Sequence, residues 1–147
     1  FGIKMADPYK LKLTSRDFFK NKVEMKGKVV VVLRGALKNR GLNLIAPISR
    51  VFKQHDIIEL IATDEETARP GEKVDSISYV AFVEILNGGV LLVDDSVIIN
   101  GKEIGKIAGY DDTHLPNHQN VIVKVNQKKS GEELSLRIND EVVFPGF

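Results

Sequence analysis

Short apolar runs separated by turn residues are the feature that most constrains the fold of this chain. These runs recur at a spacing of about 8–12 residues. Two of the turns carry residues that tight β-hairpins prefer, Asn87-Gly88-Gly89 and Asn100-Gly101. No repeating βαβ unit is recognisable, which argues against a Rossmann-type sheet. The pattern predicts a mainly β, single-domain fold, either a barrel or a sandwich of short, largely antiparallel strands.

The apolar period and the turn signals also give the positions of the elements. Strands are predicted at 10–13, 28–33, 42–45, 57–62, 74–86, 90–93, 97–99, 103–108, 121–125, 134–138 and 141–144. Two or three short helices are expected between them: one over 16–21, one that opens at Pro47 and ends near Gln54, and one capped by Thr63 together with Glu66. We expect an N-terminal segment, 1–24, that packs on a β-rich domain, 25–147, and we take residues 1–4 as a cloning remnant.

The chain has 147 residues and contains no cysteine. This composition excludes disulfides, thiolate catalysis, zinc ribbons and iron–sulfur ligation. The longest apolar run, Val29–Leu33, is far shorter than the ~20 residues that a membrane helix needs. No segment has the residue order of a secretory signal. We therefore expect a cytoplasmic protein without membrane contact.

A formal net charge of +1 conceals a strong asymmetry along the chain. Residues 1–55 contain 13 Lys+Arg and 3 Asp+Glu, which gives +10, whereas residues 56–147 contain 8 and 17, which gives −9. In the first interpretation the two parts interleave in one fold and neutralise each other locally. In the second, the basic first third forms a surface for nucleic acid, or it pairs with the acidic part of a second copy in a homo-oligomer.

The polar loop 109–120 is the segment most suited to chemistry. It holds two of the three histidines, His114 and His118, together with Asp111 and Asp112. Two imidazoles and one carboxylate are a common ligand set for a divalent transition metal such as zinc, iron, nickel or manganese. The third ligand would be one of the two aspartates or His55. Two alternatives stay open: a histidine that acts as a general base beside an aspartate, and a loop whose polar residues only cap its own turns.

A second candidate site is the basic loop 34–41. Arg34, Lys38 and Arg40 lie between Gly35 and Gly41. Arginine presents a planar fork of donors and glycine frees the backbone, so this loop is a candidate anion-binding site for a phosphate or a carboxylate. A solvated basic loop without a ligand is the simpler interpretation.

Four stretches of the sequence carry a resemblance to a known family. They are Arg40-Gly41-Leu42, Thr63-Asp64-Glu65-Glu66, Gly109 through His118, and Asn139-Asp140-Glu141-Val142-Val143-Phe144. With these stretches, residues 25–145 look like a small family of prokaryotic domains of unknown function. The resemblance implies a stand-alone single-domain protein, and it carries no known activity and no catalytic residue.

The sequence thus favours a ligand- or metal-binding module that uses the loop 109–120 and takes a small ligand or a metal ion. The first alternative is a metal-dependent enzyme with a His/Asp site. The second is a nucleic-acid-binding barrel, which is disfavoured because the sequence lacks the interleaved aromatics that stack on bases.

Overall fold

The computed structural model describes residues 22–146, which form twelve β-strands. The strands are β1 (Met25–Val32), β2 (Ala36–Leu37), β3 (Leu42–Asn43), β4 (Ser49–Phe52), β5 (Ile57–Thr63), β6 (Lys73–Val74), β7 (Ile77–Ile85), β8 (Gly89–Leu92), β9 (Ser96–Ile99), β10 (Lys102–Asp111), β11 (Gln119–Lys124) and β12 (Glu141–Phe144). The strand predicted at 10–13 and the helix predicted at 16–21 lie outside the described residues.

Seven strands close into a barrel. They follow each other in the order β1-β12-β9-β10-β11-β5-β7, and the pairing of β1 with β7 closes the ring. All pairings between these strands are antiparallel except that of β11 with β5, which is parallel. The expectation of a mainly β, barrel-like fold is therefore confirmed, and a barrel rather than a sandwich is formed.

Two apolar clusters explain why several strands are apolar on both faces. The larger cluster receives residues from all seven barrel strands, among them the fully buried Leu60, Tyr110 and Val121, and fills the barrel. The smaller cluster includes Ile61 and Ile122, which alternate with the interior residues and therefore point outward. Segments around Leu42, Leu44 and Val74 cover this outer face. A strand covered on both sides reads as a continuous apolar run, as in β5.

The hairpin predicted at Asn100-Gly101 connects β9 to β10 in the structure. Asn100 has φ 52° and Gly101 has φ 80°. Positive φ at both central residues is what a type I′ turn requires, and asparagine followed by glycine meets this requirement at the lowest cost.

No helix occurs within residues 22–146, so the predicted short helices in this range are wrong. The segment after Pro47 forms β4, which pairs with β8. At Thr63 the hydroxyl oxygen does accept the N–H of Glu65 at 3.2 Å, as in a helix cap. However, the Glu65 carboxylate accepts the N–H groups of Asp75 and Ser76, which ties the segment into a turn instead of a helix. Residues 22–146 therefore include no helix that is long and apolar enough to cross a membrane.

The strand predicted over 134–138 is also wrong. This segment is a series of turns in which the N–H of Leu134 donates to the carbonyl of Ser130, and Ser135 has φ 58°. Ser130 and Glu133 form reciprocal bonds, from each N–H to the other's side chain, at 3.0 and 3.2 Å. These bonds lower the pKa of Glu133. A capping box thus forms here without a helix behind it.

Several ion pairs connect the basic N-terminal third to the acidic remainder. Lys22 lies 3.3 Å from Asp95, and both side chains are almost fully buried. On the surface, Lys28 and His55 both face Glu84, at 3.9 and 2.6 Å. The hydrogen bond from His55 is the main reason why the pKa of Glu84 is lowered. At these positions the two halves of the charge distribution are interleaved.

Candidate metal centre

A row of four side chains crosses the outer face of the barrel above the smaller cluster. The strand register places Asp111 of β10 opposite Asn120 of β11, Asn120 beside Glu59 of β5, and Glu59 opposite Phe82 of β7. Residues that lie directly opposite each other in a sheet point to the same face. The row therefore presents two carboxylates, one carboxamide and one aromatic ring to whatever lies above it.

The loop over 112–118 folds across this row through its own backbone bonds. The N–H of Thr113 donates to Asp111 Oδ1 at 2.9 Å. The carbonyl of His114 accepts the N–H of Asn117 at 2.9 Å and that of His118 at 3.3 Å. This single turn brings the two imidazole rings to a centroid distance of 5.0 Å, although a proline separates them in sequence.

The histidines meet a carboxylate that comes from the barrel wall. His118 Nε2 lies 2.9 Å from Glu59 Oε1, and both side chains are about nine-tenths buried, at 11% and 8% exposed. The ring of Phe82 packs edge-on against His118 at 4.9 Å. One ligand atom from each of Glu59, His114 and His118 lies within 4.8 Å of the other two. His114 is exposed, and Arg40 Nη2 lies 3.4 Å from its Nε2.

The two aspartates predicted as ligands are not part of this group. Asp111 accepts hydrogen bonds from Asn43 N at 2.9 Å, Thr113 N at 2.9 Å and Asn120 Nδ2 at 3.1 Å. Burial by itself raises the pKa of Asp111, but the bonds from Thr113, Asn43 and Asn120 outweigh it, so the pKa lies below its usual range. Asp112 is exposed and accepts a bond from Gln119 Nε2 at 2.9 Å. In this geometry both aspartates hold the loop to its strands.

Of the other residues that the sequence predicted for a site, one contacts the cluster of Glu59, His114 and His118 and the others do not. His55 is exposed on the β4–β5 turn and pairs with Glu84, so it is not part of the cluster. In the basic loop, Arg34 and Lys38 are exposed, and among the described residues neither makes an ion pair. Only Arg40 reaches the histidines.

Glu59 is the member of the group that sequence analysis missed. The sequence predicted a strand over 57–62, and the structure has one at Ile57–Thr63. The available signal was the lone carboxylate within that apolar run, because glutamate is rarely buried unless a partner compensates its charge. The parallel register of β5 with β11 places this carboxylate beside the end of the histidine loop, and the sequence does not predict that register.

Several cavities open beside the barrel wall in the described part of the chain. A groove of about 180 Å³ borders His118 and is lined by residues of β4, the β4–β5 turn and the loop, among them Phe52, Asp56 and Pro116. A larger cavity, about 680 Å³, lies elsewhere, between the wall at Lys106 and Lys124 and the turn at 64–70. The groove of about 180 Å³ borders one member of the candidate cluster, His118, whereas Glu59 and His114 are not among its lining residues.

Fold and site together define a class: a closed seven-stranded β-barrel that carries a two-histidine, one-glutamate group on its outer wall. The family model described as "Family of unknown function (DUF6917)" matches residues 19–145. The chain therefore belongs to this family, which confirms the resemblance to an uncharacterised domain family. Comparison with curated proteins and with solved structures gave no match.

Proposed function

We propose that this protein is a metal-binding module that holds one divalent transition-metal ion with Glu59, His114 and His118. The convergence of these three ligand atoms within 4.8 Å of one another is the observation that carries the proposal. Two imidazoles and a carboxylate are the donor set of the facial triad, and they suit iron, zinc, manganese or nickel. The ligands come from two kinds of element: Glu59 belongs to a barrel strand, whereas both histidines belong to a loop.

The fit of an ion to these atoms requires a small movement. Ligand atoms about 2.1 Å from one ion are roughly 3.4 Å apart in a tetrahedral site. The 2.9 Å between His118 and Glu59 is already short enough. His114 is exposed, so its ring is free to turn inward. The ion would take the place of the hydrogen bond between His118 Nε2 and Glu59 Oε1, because both atoms would then bind the metal.

Asn120 supports the same assignment independently of the histidines. Asp111 is an ionised acceptor, so Asn120 has to turn its NH₂ group toward it. The carboxamide oxygen then faces away from Asp111, and Asn120 adjoins Glu59 on its other side. Asn120 is fully buried, and within residues 22–146 this oxygen has no hydrogen-bond partner. A cation at Glu59 would give this oxygen the partner that a buried acceptor needs.

Equilibrium dialysis against Zn²⁺ or Mn²⁺, followed by elemental analysis, tests the proposal. We expect about one ion per chain in the wild-type protein, and a loss of at least tenfold in affinity for His118→Ala and for Glu59→Gln, because each substitution removes one of few ligands. His55→Ala is the matched control, since His55 also pairs with a glutamate, at 2.6 Å, but is not part of the cluster. Equal metal content in all four proteins would refute the assignment.

A further inference from the structure

We propose that the metal-loaded site binds an anionic oxygen group, the chemistry shared by phosphates and carboxylates, between the ion and the guanidinium of Arg40. The inference rests on the proposed metal site and names the class of ligand that the site would take. It starts from one contact, the 3.4 Å between Arg40 Nη2 and His114 Nε2. An arginine so close to a metal ligand needs an explanation.

The backbone of Arg40 is fixed by contacts to one residue. The N–H of Arg40 donates to the carbonyl of Asp75, and the N–H of Gly41 donates to Asp75 Oδ1, both at 3.0 Å. The side chain is partly buried, and in the described part of the chain no carboxylate lies within ion-pair distance of its guanidinium. Arg40 thus offers several donors beside the histidines without a countercharge.

The charges of the loaded site call for an anion. Glu59 is the one carboxylate of the cluster, whereas a divalent ion and Arg40 together bring three positive charges. Asp111 is not part of the cluster, and N–H donors already occupy its oxygens, so it is not available as a ligand of the ion. Three protein ligands leave coordination positions open. An oxyanion that takes one of these positions and accepts hydrogen bonds from the guanidinium would neutralise the excess.

A purely structural role for Arg40 predicts a different outcome. If the guanidinium only ties loop 34–41 to the histidine loop, its removal would loosen both loops and leave anion affinity unchanged. If it is an anion ligand, its removal affects the affinity for the anion and the affinity for the metal differently. Binding of the anion weakens, while binding of the metal stays the same or becomes tighter, because a neighbouring positive charge is gone.

The test uses Co²⁺-loaded protein, because the visible spectrum of cobalt reports changes of its ligands. Inorganic phosphate and, separately, acetate are titrated into the wild-type protein and the variants Arg40→Gln and Arg34→Gln. We expect both anions to shift the cobalt spectrum, and Arg40→Gln to weaken phosphate binding about tenfold or more. Arg34→Gln is the matched control from the same exposed loop and should stay within about twofold.

The two proposals fail in distinguishable ways. If the wild-type protein does not bind Co²⁺, the metal site is refuted, and the anion site falls with it. If Co²⁺ binds but neither anion changes the spectrum, or Arg40→Gln binds phosphate as tightly as wild type, only the anion role is refuted. A shift with one anion alone supports the proposal and narrows the ligand class to that anion.

Discussion

Replacement of Asp111 tests whether the loop is held in place by one buried carboxylate. Asp111→Ala leaves three N–H donors, on Asn43, Thr113 and Asn120, without their acceptor. The donor on Asn120 is buried, and an orphaned buried donor costs about 1–3 kcal/mol, whereas Asn43 and Thr113 are exposed and their N–H groups can bond to water. We therefore expect about 2–3 kcal/mol of lost stability. Asp111→Asn keeps the shape but points an NH₂ group at one of the donors, which costs about 2 kcal/mol.

Urea unfolding followed by far-UV circular dichroism measures this loss, because the chain has no tryptophan for fluorescence. Asp112→Asn is the control: this neighbour is exposed, accepts one bond from a side chain, and should cost less than about 1 kcal/mol. Since domains are commonly stable by about 5–15 kcal/mol, the two aspartates should differ clearly.

The pH dependence gives an independent check on the same carboxylate. The pKa of Asp111 is lowered in the folded state. Its stabilisation is therefore fully present above the unfolded value of about 3.9, and it is lost as the pH falls through the lower folded value. The stability gap between wild type and Asp111→Asn should accordingly shrink below about pH 4. A gap of the same size at pH 7 and in acid, or no gap at all, would refute the reasoning.

Three further predictions concern the barrel and the proposed ion. Gly131→Ala would set a methyl group onto the backbone carbonyl of Val80, so we expect the free energy of unfolding in urea to fall by about 2 kcal/mol or more. A urea midpoint equal to that of the wild type would contradict this. Lys22→Met removes the cation that lies 3.3 Å from the buried Asp95 and should cost about 2 kcal/mol or more by the same assay, and a cost below about 1 kcal/mol would speak against it. Zn²⁺ at about 100 times its dissociation constant should add about 2.7 kcal/mol of stability, and His118→Ala should abolish this gain in thermal unfolding.

Local signals in the sequence predicted some elements correctly and others wrongly. Asn87-Gly88-Gly89 predicted a hairpin, but β7 and β8 do not pair, and the cap at Thr63 leads into a turn and not a helix. The turn at Asn100 and Gly101 was predictable because positive φ depends on the residue itself. The segment of β4 was not, because Ile48, Val51 and Phe52 fit a helical period and an extended strand equally well. In the structure Phe52 is buried and Val51 is 74% exposed, the alternation of a strand, and the pairing with β8 decides between the two.

The residues of the candidate site also differ in whether a local or a distant contact brings them together. His114 and His118 could be expected to lie together because they share one loop. The sequence offered Asp111, Asp112 or His55 as the third ligand, whereas the structure sets Glu59 beside the two histidines. Glu59 lies 59 residues before His118, and no local pattern encodes a contact of that range.

The parallel pairing of β5 with β11 has a consequence for the order in which the protein assembles. This seam can form only after a loop of about sixty residues has closed, and distant β pairings of this kind come late because the entropy of loop closure has to be met first. His114 and His118 can approach each other within their turn before then, but Glu59 reaches them only when the seam is complete. We therefore expect the three-residue group to appear only after this seam has formed and to disappear as a whole when the seam opens, so that it reports on the pairing of β5 with β11.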